Sequence, residues 1–218
     1  MRAGFDPRLY LVTDPDLTAG RPLEVLVAEA VRGGVTLVQL RDKAASGGAL
    51  FGTARLLADV LRPLGVPLIV NDRVDVAHAA GADGVHVGQS DLPAAAARAM
   101  LGPDAIVGIS IERLDEIETV DPAVVDYVAA SPVFATATKT DVAPPLGVAG
   151  VAELRRRTGL RLVGIGGITA DNAAAVCAAG ADGVAVVSAI LGRPDPGEAA
   201  ADLRARIDPA LALRRTAA

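Results

Sequence analysis

The 218-residue chain is long enough for one domain with a substantial core, or for two small ones. Its residues are 51% apolar, yet no run approaches the ~18 needed to span a bilayer, and a formal charge of −5 speaks against nucleic-acid or anionic-membrane partners. The first ten residues lack an apolar stretch ahead of a small-residue cleavage site, so no secretory signal is expected, and the lone Cys177 fits a reducing cytoplasm.

In chain order, short β-branched or apolar runs predict strands at 9–13, 36–40, 68–71, 84–87, 106–110, 127–130, 162–165 and 184–187. Between them lie segments rich in helix formers, such as 22–32, 49–61, 94–100 and 171–179. Pro22 and Pro93 suit first helical turns, where a missing N–H costs little. Gly33, Gly81 and Gly180 stand where helices must stop, in the left-handed conformation that glycine allows. Eight strand–helix units predict a parallel sheet, either open and doubly wound or closed as a barrel. An internal repeat favours closure: Ala-Ala-Gly-Ala-Asp-Gly-Val-His-Val at 79–87 returns as Ala-Ala-Gly-Ala-Asp-Gly-Val-Ala-Val at 178–186, half a barrel later. No Gly-x-Gly-x-x-Gly follows the first strand, which leaves dinucleotide binding unsupported. The expected fold is a single α/β domain, a (β/α)₈ TIM barrel, with 1–7 and 209–218 as peripheral tails.

The active site of such a barrel lies at the carboxyl ends of its strands. After strand two, Gln39, Arg41 and Lys43 alternate onto the side shared with Val35 and Leu37. An amide, a guanidinium and an ammonium there suit an anion that carries a hydrogen-bonding ring. After strands three and four come Asn71, Asp72 and Asp91. Either aspartate alone would serve equally as a helix cap. As a pair on adjacent strands beside a basic trio, they suit a hard cation such as Mg²⁺ shared with substrate phosphates. Ser110 ends strand five. The longest loop, 131–147, carries Thr136, Thr138 and Lys139 and reads as a substrate-binding lid. Strand seven runs into Gly164-Ile165-Gly166-Gly167 and strand eight into Val187-Ser188, the usual barrel site for a phosphate. His78 is expected on a helix surface and His86 in the core. The triplet at 155–157 is expected to be a solvated helix face. Lys43 and Lys139 are the only lysines among 21 basic residues, which suggests positions that need a compact ammonium.

Together, Gln39-x-Arg41-x-Lys43, Asn71-Asp72-Arg73-Val74-Asp75-Val76-Ala77, the run from Gly81 to Gln89 with Asp91, and Thr136-x-Thr138-Lys139 resemble the thiamine phosphate synthase family. That resemblance spans nearly the whole chain. It implies a transferase that joins 4-amino-2-methyl-5-(diphosphooxymethyl)pyrimidine to 4-methyl-5-(2-phosphooxyethyl)thiazole, releasing diphosphate by a dissociative, Mg²⁺-assisted route. It implies that Gln39, Arg41, Lys43, Asn71, Ser110 and Lys139 hold the pyrimidine diphosphate, and that Asp72 and Asp91 bind Mg²⁺. Thr136, Thr138, Gly167, Val187 and Ser188 would hold the thiazole phosphate. Of these, Lys139, Arg41, Lys43 and Ser110 are the expected catalytic groups. Homodimers are common in the family. The chain departs from its pattern at Glu112-Arg113, where a His and a small hydroxyl residue are usual, and at Ser131 and Ala135.

Three alternatives have distinct signatures. A thiazole tautomerase-like barrel needs neither the metal pair nor the diphosphate cations. A Schiff-base aldolase needs a lysine in desolvated or cationic surroundings. A non-catalytic phosphometabolite-binding barrel would bind both ligands without turnover.

Overall fold

The computed structural model describes residues 4–136 and 144–217. Eight parallel strands close into a barrel in chain order: β1 (Leu9–Val12), β2 (Leu37–Leu40), β3 (Leu68–Asn71), β4 (Gly84–Val87), β5 (Ile106–Ile111), β6 (Tyr127–Ala130), β7 (Arg161–Ile165) and β8 (Gly183–Val186). The closing pair is β1 with β8, register Tyr10 to Ala185. Helices α1 (Leu23–Arg32), α2 (Gly47–Leu61), α3 (Val74–Ala80), α4 (Ala94–Leu101), α5 (Gly147–Arg157), α6 (Ala173–Ala178) and α7 (Pro196–Ala217) cover the barrel. The expected strand–helix alternation lapses once. The β5–β6 crossing is a 3₁₀ segment, Leu114–Thr119, with only Ile117 buried, too short an apolar stripe for a full covering helix.

Alternation sorts each strand's side chains into two layers. Leu9, Leu11, Val38, Leu40, Leu68 and Val70 face the helices, whereas Tyr10, Val12, Leu37, Ile69, Tyr127, Val163 and Ala185 fill the barrel. Val35, which precedes β2, packs in the helix layer rather than on the Leu37 side. Phe5 and Leu211, within the two terminal stretches, are both buried. Phe5 plugs the amino-terminal end, its ring edge-on to Tyr127 at 5.6 Å and beneath the Arg161 guanidinium. Pro22 and Pro93 sit at the caps of α1 and α4. Gly81 stops α3 with φ +66° as expected, but Gly33 is right-handed and Gly34, at φ +112°, makes the turn after α1.

The internal repeat has a mechanical reason. The residue before each even strand grips the start of the preceding odd strand twice, its N–H to a carbonyl and its side chain from the same residue's amide. Thr36 Oγ1 accepts from Leu9 N at 3.1 Å, and carboxylates of Asp83, Asp126 and Asp182 accept from Leu68, Val107 and Leu162 at 2.8, 2.8 and 2.9 Å. In both copies of the repeat, the glycine after the aspartate lets the next strand approach. A Cβ at Gly84 would lie 2.0 Å from the Ile106 carbonyl oxygen, and one at Gly183 1.8 Å from that of Pro7.

Arginines on the helices complete these clips. Arg98 of α4 pairs with Asp126 and donates to the Val124 carbonyl. Arg155 of α5 likewise pairs with Asp182 and donates to Leu160. The 155–157 triplet is thus only partly a solvated face: Arg156 and Arg157 pair with Glu153 outside, while Arg155 turns inward. Both side chains of the Arg98–Asp126 pair are nearly buried, at 13% and 8% exposure. Asp126→Ala leaves that nearly buried guanidinium without its counter-charge and the Val107 amide without its acceptor, so unfolding in urea should show a loss of ~3–5 kcal/mol. A loss below ~1 kcal/mol would mean that the clip is a surface contact.

Candidate active site

At the carboxyl ends of the strands a cavity of about 670 Å³ opens. It gathers Gln39, Arg41, Lys43, Asn71, Asp72, Asp91, Ser110, Thr136, Gly167, Val187 and Ser188, every site residue singled out from the sequence that is described. Thr138 and Lys139 lie outside the described residues. Strand order divides the lining. Barrel neighbours β2, β3 and β4 bring the cations and carboxylates; β7 and β8, half a barrel away, bring the glycine loop and Val187-Ser188.

On the first wall Gln39 is buried at the inward end of β2, and Arg41 follows, its backbone N–H held by Thr13 Oγ1 at 3.0 Å. Arg41 has no carboxylate partner among the described residues. Lys43 is 58% exposed and stands 3.4 Å from Asp72. Asp72 takes a left-handed backbone, φ +60°, which is unusual for a residue other than glycine and is tolerated best by Asn and Asp. Its N–H continues the β3–β4 ladder to the His86 carbonyl at 2.8 Å, and the chain then turns into α3. Neither aspartate caps a helix, because Arg73 and Pro93 occupy those positions. Asp91 instead accepts from Gly88 N at 2.7 Å.

The Asp72 carboxyl is held above the usual carboxylate range, first by burial, then by its hydrogen bond with Asp91 and that group's charge; Lys43 opposes the shift only in part. This carboxylate pair is short of positive charge. Its hard oxygen donors, open to a cavity that a phosphate ester could share, fit a divalent cation of the Mg²⁺ type, for which one or two protein carboxylates suffice. Among the described residues, no larger cluster of His, Cys, Asp and Glu could hold a metal.

On the second wall Gly166 and Gly167 follow β7 with φ +97° and +62°. Asn172 fixes this loop, donating to the Gly167 carbonyl and accepting from Thr169 N, both at 2.9 Å. Sequence reasoning missed Asn172, because one amide in a helix start carries no signal by itself.

It also missed the floor. Tyr10 and His86 line the cavity from below, with Tyr127 beneath them. As expected, His86 is a buried, hydrogen-bonded residue, and His78 is exposed on α3. A usable signal existed. Tyr10 and Tyr127 are the chain's only tyrosines, and strand alternation turns both inward with Gln39 and His86. At the rim stand Glu112 and Arg113, where the resemblance implied other residues. Arg113 pairs with Asp115, and Glu116 accepts from the Glu112 backbone, so this departure is folded into the 3₁₀ segment.

The family model described as thiamine monophosphate synthase matches residues 9–190. A thiamine-phosphate synthase of Azorhizobium caulinodans is 56% identical over 204 residues, covering 94% of this chain and 96% of the relative. One of Albidiferax ferrireducens is 51% identical over 201 residues, 92% of each chain. The solved thiamine phosphate pyrophosphorylase of Pyrococcus furiosus superposes with a TM-score of 0.86 at 34% identity, covering 94% of this chain and 98% of its own. With the cavity, its two walls and these likenesses in agreement over almost its whole length, the chain belongs to the thiamine monophosphate synthase family and is a transferase.

Proposed function

We propose that the cavity takes an aminopyrimidine diphosphate on the β2–β4 wall and a thiazole phosphate on the β7–β8 wall, and joins them. The observation that carries this reading is the division of one cavity into an acidic-and-basic wall and a glycine-lined wall half a barrel apart. In the reaction, the bond from the pyrimidinylmethyl carbon to the diphosphate oxygen breaks, and its electron pair leaves with diphosphate. The thiazole nitrogen lone pair then forms the new C–N bond, with no proton transferred. The aminopyrimidine stabilises the carbon cation itself, so the protein needs no nucleophile.

Arg41, Lys43 and Lys139 would stabilise charge gathering on the leaving group, with Ser110 donating a hydrogen bond to the pyrimidine ring. Asp72 and Asp91 would hold Mg²⁺, which supplies positive charge to the diphosphate oxygens when bound. Gln39 and Asn71 would seat the ring. Gly167, Val187 and Ser188, with Thr136 and Thr138, would hold the thiazole phosphate so that its nitrogen is aimed at the carbon. An exposed Lys43 ion-paired to Asp72 is the reverse of what an amine nucleophile requires, which disfavours an aldolase. The carboxylate pair and cations disfavour a tautomerase. The partners in this reading are small molecules and, as the resemblance implies, a second copy of the chain. The cytoplasm is the proposed location; no helix of the described residues is long and apolar enough to cross a membrane.

The test is incubation of the purified chain with both substrates and Mg²⁺, following thiamine phosphate and diphosphate. Formation of both products in equal amounts is expected. Tight binding of both substrates without product would leave a phosphometabolite-binding barrel instead.

A further inference from the structure

Beneath the cavity runs an unbroken series of hydrogen bonds. Gln39 Nε2 donates to the Tyr10 hydroxyl at 2.7 Å, and the Tyr10 and Tyr127 hydroxyls lie 2.9 Å apart. The Tyr127 hydroxyl is 2.9 Å from His86 Nδ1, and His86 Nε2 is 2.9 Å from Ser110 Oγ. The series crosses the barrel interior, taking its members from β2, β1, β6, β4 and β5 in turn. Its geometry depends on Gly108. That residue stands between His86 and Tyr127 in the sheet, and a Cβ there would lie 2.0 Å from the tyrosine ring's Cζ. The missing side chain lets the Tyr127 ring lie flat enough to stack on His86, with centroids 5.5 Å apart.

Such a series has a direction. Each hydroxyl has one proton to give, a neutral imidazole has one, and burial keeps both phenols protonated at neutral pH. With the Gln39 amide nitrogen against Tyr10, every proton of the series finds an acceptor within it only when Tyr10 donates to Tyr127 and Tyr127 to His86 Nδ1. The imidazole proton then sits on Nε2 and points at Ser110 Oγ. Ser110's own proton is left for an acceptor in the cavity, and Gln39's carbonyl oxygen for a donor. Reversing only part of the series leaves one tyrosine hydroxyl accepting twice, its own buried proton without an acceptor in the series, and this cost opposes partial reversal.

We infer that Tyr10, Tyr127 and His86 are positioning residues that couple Gln39 to Ser110, so that the floor presents a fixed pair: an acceptor from β2 and a hydroxyl donor from β5. An aminopyrimidine carries both matching kinds of group, an exocyclic N–H that donates and ring nitrogens that accept. The inference rests on the reading of this cavity as an aminopyrimidine diphosphate site, but its hydrogen-bond direction can be measured without any ligand.

Two measurements test it. With only two histidines in the chain, long-range ¹H–¹⁵N spectra of the labelled protein resolve His86 from the exposed His78. His86 is expected as the Nε2–H tautomer with an unprotonated Nδ1; an Nδ1–H tautomer or an imidazolium at neutral pH overturns the direction. The second measurement is a double-mutant cycle. Tyr127→Phe keeps the ring over Gly108 and removes only the hydroxyl that joins Tyr10 to His86. It should lower kcat/KM for the pyrimidine diphosphate by about tenfold or more and leave KM for the thiazole phosphate within about twofold. Ser110→Ala should then cost several-fold less in the Tyr127→Phe background than in the parent. Equal costs in both backgrounds, or equal losses toward both substrates, overturn the coupling. Should Tyr127→Phe fail to fold, Tyr10→Phe breaks the same series and is scored by the same two ratios. A parent protein with the Nε2–H tautomer but no turnover of the pyrimidine diphosphate would fail the functional reading instead.

Discussion

Replacing Asp72 by Asn is expected to lower kcat by about 10²-fold or more while making the protein harder to unfold. The activity loss follows from the proposed role, since weakening the hold on the ion that would stabilise the leaving group forfeits a preorganised charge of a kind typically worth ~10²–10³ in kcat. The gain in stability follows from the structure. The Asp72 carboxylate is partly desolvated and faces Asp91, with Lys43 an incomplete counterweight. Its folded pKa is therefore raised above the unfolded value. At pH values below the unfolded pKa the group costs nothing; the penalty grows as pH rises through the folded pKa and is complete above it. Asparagine removes that charge and still tolerates the left-handed backbone at φ +60°, so no new strain is introduced. Thermal melts at neutral pH without ligand should show a higher Tm for Asp72→Asn, and activity assays should show an increased Mg²⁺ requirement with thiazole phosphate binding nearly intact. An unchanged kcat, or full activity of the parent in EDTA, would remove the metal role from this pair. The trade of stability for function at one residue is what a charged binding site built before its ligand arrives should display.

Lys139→Ala should depress kcat by roughly 10²–10³-fold and raise KM far less, the pattern of an interaction that strengthens as charge develops in the transition state. The motive is chemical and comes from the sequence. In a chain that uses arginine for nearly every basic position, a lysine beside two threonines suggests a compact, mobile ammonium acting on the departing diphosphate. Lys139→Arg should therefore rescue only partly, because a planar guanidinium is larger and presents its protons in a fixed fork. Equal activity of Lys139→Arg and the parent would show that any positive charge serves. A normal kcat for Lys139→Ala would reduce Lys139 to a rim charge.

The sequence by itself determined the barrel and where most of the residues of its cavity emerge. Strand alternation and the repeated Ala-Asp-Gly were enough to predict eight units and closure, because a parallel strand's apolar run and its turn residues are local properties. Asp72, Asp91, Gln39, Arg41 and Ser110 were legible for a related reason: polar residues that directly follow an apolar run in this architecture must emerge at one rim. The first wall therefore followed from position along the chain.

Other features needed the tertiary structure. Nothing local says that Asp83, Asp126 and Asp182 grip the preceding strand's amide, or that Gly33 yields the left-handed turn to Gly34, since both depend on what lies across a contact distant in sequence. The same holds for the floor. His86 reads in the sequence as a core residue and the two tyrosines only as members of strands, and only closure of the barrel brings the Tyr10 hydroxyl to Tyr127, 117 positions away, and on to His86 and Ser110. Hydrogen-bond partners inside a barrel are chosen by the radius of the closed sheet and by where a glycine leaves room, and neither is a property of any single segment.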